Sequence, residues 1–207
     1  MPAEQPELAT VAGAMESLGC NCEFGLVQRR AGVEPLGLLR FANAPLHALV
    51  GALQDRFTAI GTEMDFSVDS TDEWIGLWRG FTFHSTRHSR NTTEHEVRDQ
   101  EARRLPWLAA KLVADLESAE KLFVYTNCDF ACPDQAEPLR EAICGIGTAR
   151  LLVVMADQGR AGSVERLENG LLVGYVRRLT PAHYAAEYDW PSWEHLLPRA
   201  YTTWKGR

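Results

Sequence analysis

The sequence predicts a single α/β domain: a three-layer sandwich around a mixed sheet, parallel in its second half and edged by a β-hairpin. Three observations point there. Two continuous apolar runs, residues 121–126 and 150–155, flank a helix-compatible stretch, which is the pattern of a parallel βαβ unit buried on both faces. An Asn169-Gly170 pair separates two alternating runs, a strong hairpin signal. The chain has 207 residues, 45% of them apolar and 24% charged, enough for one core without disulfides or a structural metal.

In chain order, residues 1–7 hold two prolines and two glutamates with little apolar content and read as a frayed tail, so the domain is expected over residues 8–207. Residues 8–17 are apolar but too short for periodicity to separate helix from strand. Gly19 then punctuates, Asn21 suits an N-cap and Gly32 a helix stop, which predicts a helix from about 22 to 31. Leu46, Leu49, Val50, Leu53 and Phe57 form the best-patterned helical stripe.

From Met64 to Ser85 the period changes to two, predicting short antiparallel strands. A charged stretch over 87–101 leads into Leu105, Leu108, Leu112 and Leu116, a long helix kinked or restarted at Pro106. After the βαβ unit and the hairpin, residues 191–204 read as a terminal helix with Trp193, Leu196, Leu197 and Trp204 facing inward.

Charge and composition exclude several classes. The net charge of −7 argues against a phosphate-tracking face, so nucleic acid is not an expected partner. No window is apolar enough to span a membrane, and the opening residues lack the basic and apolar regions of a secretory signal. With an odd number of cysteines, this predicts a cytoplasmic protein with reduced thiols. No glycine-rich dinucleotide or Walker motif occurs, and Cys128 with Cys132 lacks a second ligand pair, so neither a cofactor nor a metal is expected.

Chemistry points first to Cys22. A cysteine at a helix start meets unpaired N–H groups and a partial positive charge, which favour the thiolate and lower its pKa. The bland alternative is a small buried apolar residue. A cysteine nucleophile needs a base held by a third polar group. Among six histidines, His84 ends the alternating run from Phe81 and can face a cleft, whereas His88 and His95 fall in charged sequence, His47 flanks an apolar stripe, and His183 and His195 have no evident partner. Asn127 and Asp129 follow the first apolar run and Asp157 the second, where functional groups of open α/β sheets collect, although such residues are also routine turn-makers. Trp74 and Trp78 suit a sugar-stacking platform or, more simply, a core.

The segment Ser17-Leu18-Gly19-Cys20-Asn21-Cys22-Glu23-Phe24-Gly25 resembles a bacterial family of uncharacterised proteins described as papain-like cysteine peptidases, whose pattern is Ser-Leu-Gly, two residues, then Cys. Phe83-His84, the stretch around Arg98 to Arg104, the run from Lys121 and Gly174-Tyr175 look similar too, over about residues 14–204. The family's Pro-Phe-Asp-Trp segment corresponds here to Pro35-Leu36-Gly37-Leu38-Leu39-Arg40-Phe41, without the aspartate. The resemblance implies Cys22 as nucleophile, His84 as its partner, a cysteine-bearing helix packed on an antiparallel sheet, and a setting in surface glycan assembly.

The expected function is therefore a cysteine-dependent hydrolase or acyl transferase acting on a small-molecule, peptide or glycan-related substrate, with Asn127 or Asp129 orienting His84. The competing reading is a non-catalytic module in which Ser17, Gly19 and Asn21 hold an anionic or sugar-phosphate ligand at the helix N-terminus. A third is a glycosyltransferase-like enzyme using Asp129 or Asp157.

Overall fold

The computed structural model describes residues 7–181 and 187–206, so most of the expected tail and His183 lie outside the described residues. The apolar run after Glu7 divides at Ala14 into helix α1 (Leu8–Gly13) and strand β1 (Met15–Ser17). Then come α2 (Glu23–Arg30), β2 (Ala42–Asn43), α3 (Leu46–Gln54), β3 (Asp65–Val68), β4 (Glu73–Trp78), β5 (Phe81–His88) and α4 (Glu94–Ser118). The last third holds β6 (Leu122–Thr126), α5 (Glu137–Cys144), β7 (Arg150–Ala156), β8 (Val164–Arg166), β9 (Leu172–Val176) and α6 (Trp190–Lys205).

The central sheet has the order β1-β6-β7-β9-β8, with the first four strands parallel and β8 antiparallel at the edge. The alternation of a strand explains its continuous apolar sequence. Leu122, Val124, Leu152 and Val154 pack with Phe24, Trp193 and Leu196 of α2 and α6, while Phe123, Tyr125, Leu151 and Val153 turn to the core under α3, α4 and α5. Strands β6 and β7 are thus covered on both faces, which makes three layers.

The strands between Asp65 and His88 are antiparallel but do not extend the central sheet. They form their own sheet of order β2-β5-β4-β3. The β6 edge of the central sheet is taken by β1, whose Met15 pairs with Leu122. Helix α4 runs unbroken through Pro106, because Leu105, Leu108, Leu112 and Leu116 are all buried and hold the helix on both sides of the missing N–H. Its start is fixed by a capping box between Thr93 and Glu96.

One buried carboxylate ties the start of α2 to the C-terminal layer. Glu23 is fully buried and accepts the Thr180 N–H at 2.9 Å and hydroxyl at 2.7 Å on Oε2, and the Trp193 indole N–H at 2.8 Å on Oε1. Burial pushes its carboxyl above the ordinary range against the pull of these donors. The residue before it, Cys22, is positioned by the same anchor.

Candidate active site

Between β1 and α2 the backbone turns left-handed twice, at Gly19 (φ +84°) and Cys20 (φ +73°). A side chain at Gly19 would also put its Cβ 2.7 Å from that of Ala44. The turn aims Asn21 inward, where Oδ1 accepts the Glu23 N–H at 3.0 Å and the Thr126 hydroxyl at 3.3 Å, and Nδ2 donates to Thr180 O at 2.9 Å. Cys22 then sits at the helix N-terminus, and Cys22, Leu26 and Arg29 recur at i, i+4 and i+7 along one face of α2.

That face lines a cavity of about 340 Å³. Its opposite wall comes from Gly37, Leu38 and Phe41, and this segment can approach because residue 25 is glycine. A Cβ there would lie 2.5 Å from Arg40 O and 2.7 Å from the Phe41 ring. The rest is built by Glu73, Phe83, His84 and Thr86 of the antiparallel sheet and by Arg104 of α4.

A bulge in that sheet makes a polar pair. Glu73 is opposite His88 and Ile75 opposite His84, so Trp74 alone faces residues 85–87, with Thr86 at φ +61°. The extra residues bring the Thr86 N–H to 2.7 Å from Glu73 Oε1, and Glu73 Oε2 to 2.9 Å from His84 Nδ1. Asp69 holds the preceding turn by accepting the N–H groups of Thr71 and Glu73 at 2.8 and 2.9 Å. A carboxylate at Nδ1 favours the tautomer that carries its proton there, and Nε2 makes no hydrogen bond among the described residues.

The structure therefore brings Cys22 and His84 to one cavity, with Glu73 behind the imidazole. It does not bring Asn127 or Asp129 there. The Asn127 side chain accepts the Asp129 N–H at 2.8 Å, and both lie on the Cys20 side of the loop. Burial pushes the Cys20 thiol up to about 11, with the Tyr125 hydroxyl pulling the other way and the charges of Cys128 and Asp129 adding to the rise.

Nor is the Cys22 pKa lowered as the helix N-terminus alone predicts. Burial against the cavity wall pushes the thiol above its ordinary value, and the negative charge of Glu73 adds to it. Desolvation disfavours the thiolate. Cys22 Sγ makes no hydrogen bond among the described residues.

The other sequence candidates fall elsewhere. Ser17 is buried with its hydroxyl accepting the Gly19 N–H at 3.2 Å, and Gly19 packs on Ala44, so neither lines the cavity, and neither does Asn21. Asp157 pairs with Arg160 at 2.8 Å. His47 is exposed, His95 lies 3.6 Å from Asp99 in solvent, and His195 Nδ1 is 2.7 Å from Pro191 O. Trp78 is a core residue, and the indole of Trp74 donates to Thr92 O at 2.9 Å. All five cysteines are free. Among the described residues no group of three or more His, Cys, Asp or Glu is placed to hold a metal ion, and no helix is long and apolar enough to cross a membrane.

Glu73, Arg29 and Arg104 were not singled out in the sequence. Nothing local marks Glu73, which reaches His84 only through the bulge. The i+7 spacing from Cys22 is the one signal that places Arg29 on the cavity face. No family model, curated protein or solved structure matches the chain.

Proposed function

We propose that the protein is a cysteine-dependent hydrolase or acyl transferase with Cys22 as nucleophile, His84 as general base and acid, and Glu73 as the group that orients the imidazole. The carrying observation is that the three line one cavity while Glu73 Oε2 is 2.9 Å from His84 Nδ1. Because the resting thiol is held protonated, base catalysis is needed at the moment of attack.

In the first half-reaction His84 Nε2 takes the thiol proton as Sγ bonds to the carbonyl carbon. The first-turn N–H groups of α2, which have no intrahelical acceptor, face the developing oxyanion, except that of Glu23, which Asn21 engages. Collapse of the adduct breaks the bond to the leaving group, which receives the proton from His84 and leaves a thioester on Cys22. Water or another acceptor then attacks that thioester, His84 taking its proton and returning one to Cys22.

The likeness to papain-like peptidases gains support from a cysteine at a helix start across a cavity from an antiparallel sheet that carries the histidine. A cytoplasmic setting is supported by the five free thiols, and a glycan-related or peptide substrate rests on the resemblance. The test is turnover of a panel of activated esters and thioesters by the parent protein, Cys22→Ser and His84→Gln. Loss of about 10² to 10⁴ in kcat/KM in both variants supports the reading, and parent-like turnover in either variant overturns it.

A further inference from the structure

We propose that the cavity selects acyl substrates that carry an anionic group, a carboxylate or a phosphate, beside the reacting carbonyl, and that Arg29 and Arg104 read it. This rests on the assignment of Cys22 as the reacting group. The two arginines line the cavity from different helices, Arg29 from the Cys22 face of α2 and Arg104 from α4.

Each is held from behind by a carboxylate. Arg29 Nε and Nη2 donate to Glu34 at 3.0 and 3.3 Å, with the guanidinium 5.2 Å from the Phe41 ring centroid. Arg104 Nε and Nη2 donate to the buried Glu101 at 3.0 and 2.7 Å. Among the described residues no hydrogen bond engages Nη1 of either arginine. A guanidinium fixed on one edge and free on the other is preorganised for a planar or tetrahedral oxyanion.

Glu73, the carboxylate of the cavity, does not compete for them, since its oxygens face His84 and Thr86. The Arg29 side chain is 53% exposed and that of Arg104 38%, so both stay open to an arriving anion. The remaining wall, Leu26, Leu38, Phe41 and Phe83, is apolar and suits the carbon skeleton between the charge and the carbonyl.

Iodoacetate and iodoacetamide form the same carbon–sulfur bond and release the same iodide, and differ in one negative charge. The rate ratio of the two at Cys22, read by mass spectrometry, therefore reports anion selection without requiring turnover. Iodoacetate is expected to saturate, the ratio to fall about tenfold in Arg29→Met and in Arg104→Met, and succinate or inorganic phosphate to protect Cys22, the better protector naming the anion. A ratio unchanged in both variants, or no protection by either anion, overturns the proposal. If esters are not turned over yet the ratio falls in the variants, the enzyme assignment fails and anion selection stands.

Discussion

Glu73 and His84 are joined across a bulge: the carboxylate reaches Nδ1 at 2.9 Å although its ladder partner is His88, four residues further along the strand. The bulge performs two tasks, since it also turns the Thr86 N–H onto the other carboxylate oxygen. The imidazole is held at Nδ1, and Nε2 makes no hydrogen bond among the described residues.

Replacing Glu73 by Gln is expected to lower both kcat and the Cys22 thiol pKa. The amide donates to Nδ1 and forces the proton onto Nε2, so kcat is expected to fall by about 10² to 10⁴. Removing the carboxylate charge, which holds the Cys22 thiol up, lowers the thiol pKa. Ester turnover and the pH profile of Cys22 alkylation check the pair. A residue with a purely structural role would not produce both shifts.

The resting state of Cys22 has its own signature. A thiol raised by burial alkylates slowly at neutral pH and faster as pH rises beyond the ordinary thiol range. Rate constants at Cys22 measured by peptide mass spectrometry between pH 6 and pH 10 (about the ordinary range of thiol titration) test this. A plateau reached below neutrality would indicate a stabilised thiolate and a different activation of the nucleophile.

Glycine at position 25 sets the width of the cavity. Gly25→Ala places a methyl group against Arg40 O, a backbone atom that cannot turn aside, so residues 37–41 must lift from α2. A loss of about 2 to 4 kcal/mol is expected in denaturant titration, together with faster alkylation of Cys22 as its wall opens.

Acid stability is tied to Asp189. Hydrogen bonds from Arg177, and secondarily from Ser192, hold its carboxyl down from 3.8 to about 2 despite burial. A depressed carboxyl stabilises the fold above its unfolded pKa, and that contribution is lost as pH falls from about 4 through about 2. Asp189→Asn should therefore cost about 2 kcal/mol at neutral pH, and its stability should meet that of the parent protein at the acid end of a pH series.

Much of this was legible in the sequence, and what was not has a common cause. Continuous apolar runs around β6 and β7, with a helix-compatible stretch between them, read as strands covered on both faces, and Asn169-Gly170 announces its hairpin. Cys22 was placed by a local signal, a helix start, whereas His84, expected at a strand end, lies inside β5 opposite Ile75, just before the bulge. The capping box of Thr93 and Glu96 was equally local, although residues 87–101 read simply as charged. Glu73 was hidden because a bulge, not an adjacent motif, carries it to His84. The sign of the Cys22 shift was hidden as well, since it comes from burial in the folded chain and from the charge of Glu73, brought near only by the fold. The place of β1 at the edge of the central sheet was hidden too, because it is a pairing between segments more than a hundred residues apart.

The most direct measurement is to expose the protein to an activated ester, quench, and map the acyl group by mass spectrometry in the parent protein, Cys22→Ala and His84→Gln. The Cys22–His84–Glu73 assembly predicts an acyl adduct on Cys22 that forms about 10² or more times slower in His84→Gln. Acylation confined to the exposed Cys128, Cys132 or Cys144, or an adduct on Cys22 that forms equally fast without His84, would contradict it.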